Sequence, residues 1–138
     1  MKIAPYLFFD GVCEQAFKFY EKALGAKIEA MMHFKDMPGG DSPVPADAMD
    51  KVMHARMSID GQIIMASDAM GGRYNKPQGY DINLTVDTPE EADRIFKNLS
   101  DGAQSINMPI AETFWALRFG ALVDKFGTPW MVNCEKKM

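Results

Sequence analysis

The sequence predicts an α+β protein made of one supersecondary unit written twice. Three observations carry this. Glu14-Gln15-Ala16 with Phe19-Tyr20 recurs as Glu90-Glu91-Ala92 with Ile95-Phe96. Each helix-like run ends in a Gly-Ala step, Gly25-Ala26 and Gly102-Ala103. Each is then followed by a β-rich stretch that turns at a glycine, Asp60-Gly61 and Phe126-Gly127. A strand, a helix and several strands, repeated, imply paired sheets enclosing a pocket suited to a small molecule. The chain reads as a single domain, 1–138, of two modules, about 1–70 and 79–138, joined by a Gly/Pro-containing connection.

The elements follow in order. Pro5 to Phe9 is short, apolar and aromatic, as a buried first strand is, and Asp10-Gly11 ends it. Helix 1 runs from about Val12 to Leu24, with Ala16, Phe17, Tyr20 and Leu24 at helical spacing and Gly25 as its stop. Lys27 to Phe34 reads as a second strand. Between Asp36 and Asp50 the stretch Met37 to Pro45 holds three prolines and two glycines, a loop that is either a lid over a site or merely mobile. Val52 to Ile59 alternates as a strand, Asp60-Gly61 is a two-residue hairpin signal, and Gln62 to Ser67 returns antiparallel. The second unit opens with the strand Tyr80 to Val86. Thr88-Pro89-Glu90-Glu91 is a capping box, with Thr88 as N-cap and Pro89 at the first helical position. Helix 2 buries Ala92, Ile95, Phe96 and Leu99 and stops near Gly102. A short strand near Gln104 to Met108, a turn at Pro109, a strand from Thr113 to Asp124 and a last strand from Trp130 to Cys134 complete the unit.

Composition excludes several classes of function. The net charge is −4, with no block of Lys or Arg, so the electrostatic footprint of nucleic-acid binding is missing. No apolar run reaches the roughly 20 residues that span a bilayer, and Met1-Lys2-Ile3-Ala4-Pro5 lacks a signal-peptide core. Cys13 and Cys134 lie in no metal-ligand spacing and read as free thiols of a cytoplasmic protein. The 12 methionines read as gap fillers of the core in preference to a Met-lined pocket.

The order strand, helix, three strands, written twice, resembles the βαβββ modules of the vicinal oxygen chelate superfamily, which includes glyoxalase I, bleomycin-resistance proteins and extradiol dioxygenases. The strings Asp10 to Tyr20, Met65-Ala66-Ser67-Asp68, Glu112-Thr113-Phe114-Trp115 and Phe119 to Cys134 resemble the PhnB-like group within it. This resemblance implies a curved eight-stranded mixed sheet around a cleft, helices outside, and a homodimer. It also brings a methyltransferase label tied to ubiquinone biosynthesis. A Rossmann-type methyltransferase needs a Gly-rich turn after its first strand to approach its cofactor. Pro5-Tyr6-Leu7-Phe8-Phe9-Asp10 runs into a helix without such a loop.

Metal-dependent members of the superfamily place His, Gln or Glu ligands on the first and last strands of each module. Here those strands offer Tyr6 and Phe8 or Leu7 and Phe9; Met65 and Ser67, or Gln62 and Asp68 near the strand's ends; Asp81, Asn83 and Thr85; and Met131, Asn133 and Glu135. The usual His and Glu set is absent, so no metal site of glyoxalase type and no cofactor is expected, although a divalent metal stays open as an alternative. His54 is the first candidate for pocket chemistry, because an imidazole moves protons near neutral pH; His33 and His54 equally suit structural hydrogen bonds. Glu112, beside Phe114 and Trp115, is a candidate carboxylate base or metal ligand, or else a residue that bonds backbone groups at the turn after Pro109. Trp115 is a candidate to stack on a flat ligand. Tyr6 and Asn133 are candidate ligand contacts. Arg118 suits either an anionic ligand or an ion pair with Asp124 or another carboxylate. Cys13, near a helix N-terminus, is either reactive or buried. Two functions compete. One is a binder of a small metabolite that does without the metal set. The other is a metal-dependent lyase, isomerase or dioxygenase acting on an oxygen-rich substrate through Glu112 and His54.

Overall fold

Alternation decides which side of each strand becomes core, and in both units a helix covers only that side. The protein is described here by a computed structural model that covers residues 1–37 and 45–137. The eight strands are hydrogen-bonded as two four-stranded mixed sheets, one per unit. The chain divides into two compact units, Met1–Asn75 and Lys76–Met138.

In the first unit, β1 (Tyr6–Phe9), β2 (Lys27–His33), β3 (Val52–Ile59) and β4 (Gln62–Asp68) lie in the order β1-β4-β3-β2. β1 runs parallel to β4, and the other pairs are antiparallel. α1 (Cys13–Leu24) buries Cys13, Ala16, Phe17 and Tyr20 against the face that carries Leu7, Phe9, Ala55, Met57 and Ala66. Phe9 meets Phe17 edge-on, ring centroids 6.5 Å apart. Burying a Phe- or Met-sized side chain stabilises by roughly 1.5–3 kcal/mol, so this face is where the unit's stability resides. The helix has no side-chain cap of its own at Val12. Instead the buried Asp68 carboxylate accepts from the Cys13 N–H at 3.0 Å and the Val52 N–H at 2.9 Å, tying α1, β3 and β4 together. Asp60 (φ 49°) and Gly61 (φ 80°) form the β3–β4 turn, where two positive φ values match the twist of a tight hairpin.

A short 3₁₀ turn, Phe34–Asp36, leads into the predicted loop from Asp36 to Asp50, and a second, Ala46–Ala48, lies within it. Its Pro/Gly stretch, the part read as a lid or mobile loop, lies outside the described residues over 38–44.

The second unit repeats the plan. β5 (Ile82–Thr85), β6 (Ser105–Ala111), β7 (Ala116–Val123) and β8 (Pro129–Glu135) lie in the order β5-β8-β7-β6, with β5 parallel to β8. α2 (Pro89–Leu99) starts as its capping signal predicts, Thr88 Oγ1 accepting from the Glu91 N–H at 3.1 Å. Its buried residues, Ala92, Ile95, Phe96 and Leu99, are those expected. Gly120 is required by this packing. A Cβ there would stand 2.7 Å from the Phe96 ring and 3.0 Å from the Ile110 Cα.

Three strands have a boundary that differs from expectation by two residues or more. β6 runs through Pro109 instead of turning there, because an edge strand with register shifts beside Met108 asks no N–H of the proline. β7 starts at Ala116 instead of Thr113, because the Thr113 hydroxyl accepts from the N–H groups of Trp115 and Ala116 and folds that stretch into a turn. β5 is trimmed to Ile82–Thr85 from the expected Tyr80–Val86.

Candidate ligand-binding faces

The face of each sheet turned away from its helix carries most of the candidate residues. In the first unit, Tyr6 and Phe8 leave the chain on the side opposite the buried Leu7 and Phe9. Register places Tyr6 beside Met65, Met65 beside Arg56, Phe8 beside Ser67 and Met32 beside His54. The Tyr6 hydroxyl shares a 3.3 Å hydrogen bond with His54 Nδ1. The Tyr6 ring lies 5.1 Å from Phe8 and 5.8 Å from the imidazole, centroid to centroid. Phe8 is 55 % exposed and Tyr6 39 %, values that stand out beside the filled helix side. Arg56 is held by Glu29, its Nε donating at 2.9 Å. Val52, by alternation a neighbour of His54 on this face, is buried instead: the pairing with β2 shifts at Met32/His33, and its N–H is drawn to Asp68.

His33 does different work from His54. Its Nε2 meets Glu14 of α1, and its backbone N–H donates to Asp36 at 2.9 Å, so it pins the end of β2 to the helix. Hydrogen bonds from Lys18 first and from His33 second hold the Glu14 carboxyl below the usual carboxylate range. Cys13 is buried, and burial first, then the charges of Asp68 and Glu14, pushes its thiol far up. This settles the helix-terminus question for Cys13 in favour of the buried, unreactive form. Both cysteines are free and buried.

In the second unit, Asn83 and Thr85 of β5, Met131 and Asn133 of β8, and Phe119 and Ala121 of β7 share the open face through the pairs Asn83↔Met131, Thr85↔Asn133, Phe119↔Asn133 and Ala121↔Met131. The turn built on Thr113 displays Phe114, 88 % exposed, and Trp115, 46 % exposed. Trp115 stands edge-on to Phe119 at 5.5 Å and to Phe114 at 4.8 Å. Asn133 Oδ1 is buried without a hydrogen-bond partner.

Two candidates are not brought to an open face with these groups. Arg118 pairs with Cys134, on the helix side of the second sheet, and donates from Nε to Asp93 of α2 at 3.1 Å. This is the ion-pair alternative, with Asp93 as the carboxylate in place of Asp124. Glu112 lies at the end of β6, largely exposed, 3.2 Å from Lys136 Nζ. Asp124, read from the sequence only as an alternative partner for Arg118, is fully buried and holds the β7–β8 turn. Its Oδ1 accepts from the N–H groups of Phe126 (2.8 Å) and Thr128 (3.1 Å), and its Oδ2 from Trp130 Nε1 (2.8 Å).

The donor set does not fit a divalent ion. Such an ion needs converging carboxylates or imidazoles, and the open faces supply Tyr, Phe, Met, Ser, Asn and Thr at the strand positions where the superfamily's ligands fall, with Glu135 adding a carboxylate at the exposed end of β8 but no cluster. Among the described residues no group of three His, Cys, Asp or Glu is placed to hold a metal.

The whole chain has relatives of the same length. Protein YjdN of Escherichia coli strain K12 is 37 % identical over 144 residues, covering 99 % of this chain and 97 % of YjdN. The crystal structure of protein PA1353 from Pseudomonas aeruginosa matches with a TM-score of 0.83 at 45 % identity, over 99 % of each chain. The putative 3-demethylubiquinone-9 3-methyltransferase, PhnB protein, from Bacillus cereus matches with a TM-score of 0.80 at 26 % identity, over 97 % of this chain and 99 % of its own. At 14 % identity the glyoxylase/bleomycin resistance protein/dioxygenase domain from Frankia still gives a TM-score of 0.65, a likeness of fold alone. The class defined is therefore the two-module α+β fold of the vicinal oxygen chelate superfamily. Within it, the family described as 3-demethylubiquinone-9 3-methyltransferase matches residues 1–133, and the chain belongs to this PhnB-like family.

Proposed function

We propose that the chain binds a small metabolite on the open faces of its sheets without the superfamily's usual metal-ligand set. The observation that carries this is the contrast between the two sides of the first sheet. One side is filled by α1, while the other leaves Tyr6, Phe8 and Met32 exposed around a Tyr6–His54 hydrogen bond. Aromatic and thioether groups with a few fixed polar atoms are the usual lining of a ligand site. Trp115 and Asn133 contribute the same mixture in the second unit.

The methyltransferase description is not adopted as the reaction. The strand–glycine-loop–helix that holds a Rossmann-type cofactor has no counterpart here. β1 passes through Asp10-Gly11-Val12 into α1 within a four-stranded mixed sheet, and no methyl transfer is derived.

A second reading, enzymatic proton transfer, is favoured by one contact. The Tyr6 hydroxyl at His54 Nδ1 fixes the ring and leaves Nε2 to exchange a proton with a carbonyl or enol. Glu112, held by Lys136, supports this reading less. The chain is further proposed to be a homodimer, which the exposed Ile106 and Met108 on edge strand β6 favour. Two free buried thiols suit a cytoplasmic location. No helix among the described residues is long and apolar enough to cross a membrane.

A fragment screen followed by two-dimensional NMR of the labelled protein tests the first reading. Hits are expected to shift signals of Tyr6, Phe8, Met32 and His54, or of Trp115 and Asn133, while Leu7, Phe17 and Met57 stay in place. Hits confined to the helix sides, or none from a library of aromatic and oxygen-rich fragments, would overturn it.

A further inference from the structure

One acceptor on the open face of the second sheet has no donor. Asn133 Oδ1 is buried and has no hydrogen-bond partner among the described residues, and a buried carbonyl left unpaired is costly enough that native structures seldom keep one without a reason. Register sets Asn133 between Thr85 of β5 and Phe119 of β7. Asn83 Nδ2 donates to Thr85 Oγ1 at 2.9 Å, which occupies one lone pair of that oxygen and leaves the hydroxyl's own proton to be donated elsewhere. On the other side Phe119 carries Trp115 edge-on. The row thus offers an acceptor, a donor and an aromatic wall, and no charged side chain occurs among Asn83, Thr85, Phe119, Ala121, Met131 and Asn133.

We propose that this face recognises a neutral planar ligand carrying an N–H or O–H donor beside a carbonyl acceptor, the chemistry of a primary amide, a lactam or a hydroxy-ketone. The ligand's donor goes to Asn133 Oδ1, its carbonyl accepts from Thr85, and its ring packs against Phe119 and Trp115. A carboxylate would set acceptor against acceptor with no cation in the row to offset it. A ligand without a donor leaves the carbonyl as it found it. This ligand class rests on the small-molecule reading above.

The test titrates the full chain with benzamide, N,N-dimethylbenzamide and benzoate, reading the NMR signals of Trp115 and Asn133. Benzamide is expected to bind about tenfold more tightly than either of the others, the ratio one hydrogen bond to a buried acceptor supports. In Asn133→Leu, near in size and free of the orphaned carbonyl, the ratio is expected to fall to about one. A dispersed spectrum checks that this variant folds. Thr85→Val, the second variant, is expected to weaken benzamide by a similar factor. Equal binding of all three probes at this face, or a ratio that survives Asn133→Leu, overturns the ligand class and leaves the small-molecule reading standing. Shifts at neither sheet with any of the three overturn the ligand class, and the small-molecule reading falls with it only if the fragment library also gives no hits on these faces.

Discussion

Replacing Asp124 by Asn removes one acceptor from the carboxylate that accepts from Phe126, Thr128 and Trp130. The amide oxygen of the variant can keep the two backbone bonds to Phe126 and Thr128, the pair that closes the β7–β8 turn. Its NH₂ then faces Trp130 Nε1–H, donor against donor, where the wild-type distance is 2.8 Å. Trp130 is fully buried, so its N–H has no water to turn to. The loss of one hydrogen bond to a charged acceptor, with an amide donor now set against the buried indole N–H, costs about 2–3 kcal/mol. For a chain of this length that lowers Tm by roughly 6–9 °C. Thermal unfolding followed by tryptophan fluorescence measures it, with Asp93→Asn as the control. Asp93 belongs to a half-exposed pair with Arg118, and its loss costs at most about 1 kcal/mol. An Asp124→Asn variant that melts with the wild type would refute the role assigned to this carboxylate.

Gly120→Ala is expected to destabilise by about 1–3 kcal/mol in urea unfolding, because the added methyl meets both the buried Phe96 ring and the β6 backbone; an unchanged midpoint would show that α2 gives way freely. Arg118→Ala is expected to leave ligand affinity unchanged in fluorescence titrations, since its guanidinium serves Asp93 on the helix side. Cys13 is expected to resist thiol reagents at neutral pH until the protein unfolds, as burial raises its thiol's pKa. Glu14 has a folded pKa below its unfolded value, so its contribution to stability is present above the unfolded pKa and is lost as pH falls through the folded one. Glu14→Gln should therefore flatten the acid limb of a stability–pH curve, and an unchanged limb would count against that contribution.

Local chemistry was legible in the sequence. Thr88, Pro89 and Glu91 act within one helical turn, and Asp60-Gly61 within one hairpin, so spacing alone revealed them. The twofold repeat gave the strand–helix–strands order of both units for the same reason. Features that depend on distant chain segments were not legible. Tyr6 and His54 are 48 residues apart and meet only because β1 pairs with β4 and β4 with β3. Asp68 caps α1 across 55 residues, a role that no pattern near Val12 signals. The side on which Arg118 stands was hidden by the register shift between Ala116 and Arg118. Pro109 misled because the edge position that tolerates it is a property of the sheet and not of the sequence around it.

The central claim, small-molecule binding on open sheet faces without a metal, is tested most directly by titrating one fragment hit into chelator-treated protein. The same titration is then repeated with zinc, nickel, manganese or iron(II) added back. The account predicts one affinity throughout, reduced by Trp115→Ala or Tyr6→Ala. Binding that vanishes with the chelator, returns with a stoichiometric ion and is lost in His54→Ala or Glu112→Ala would contradict it and restore the metal-dependent enzyme.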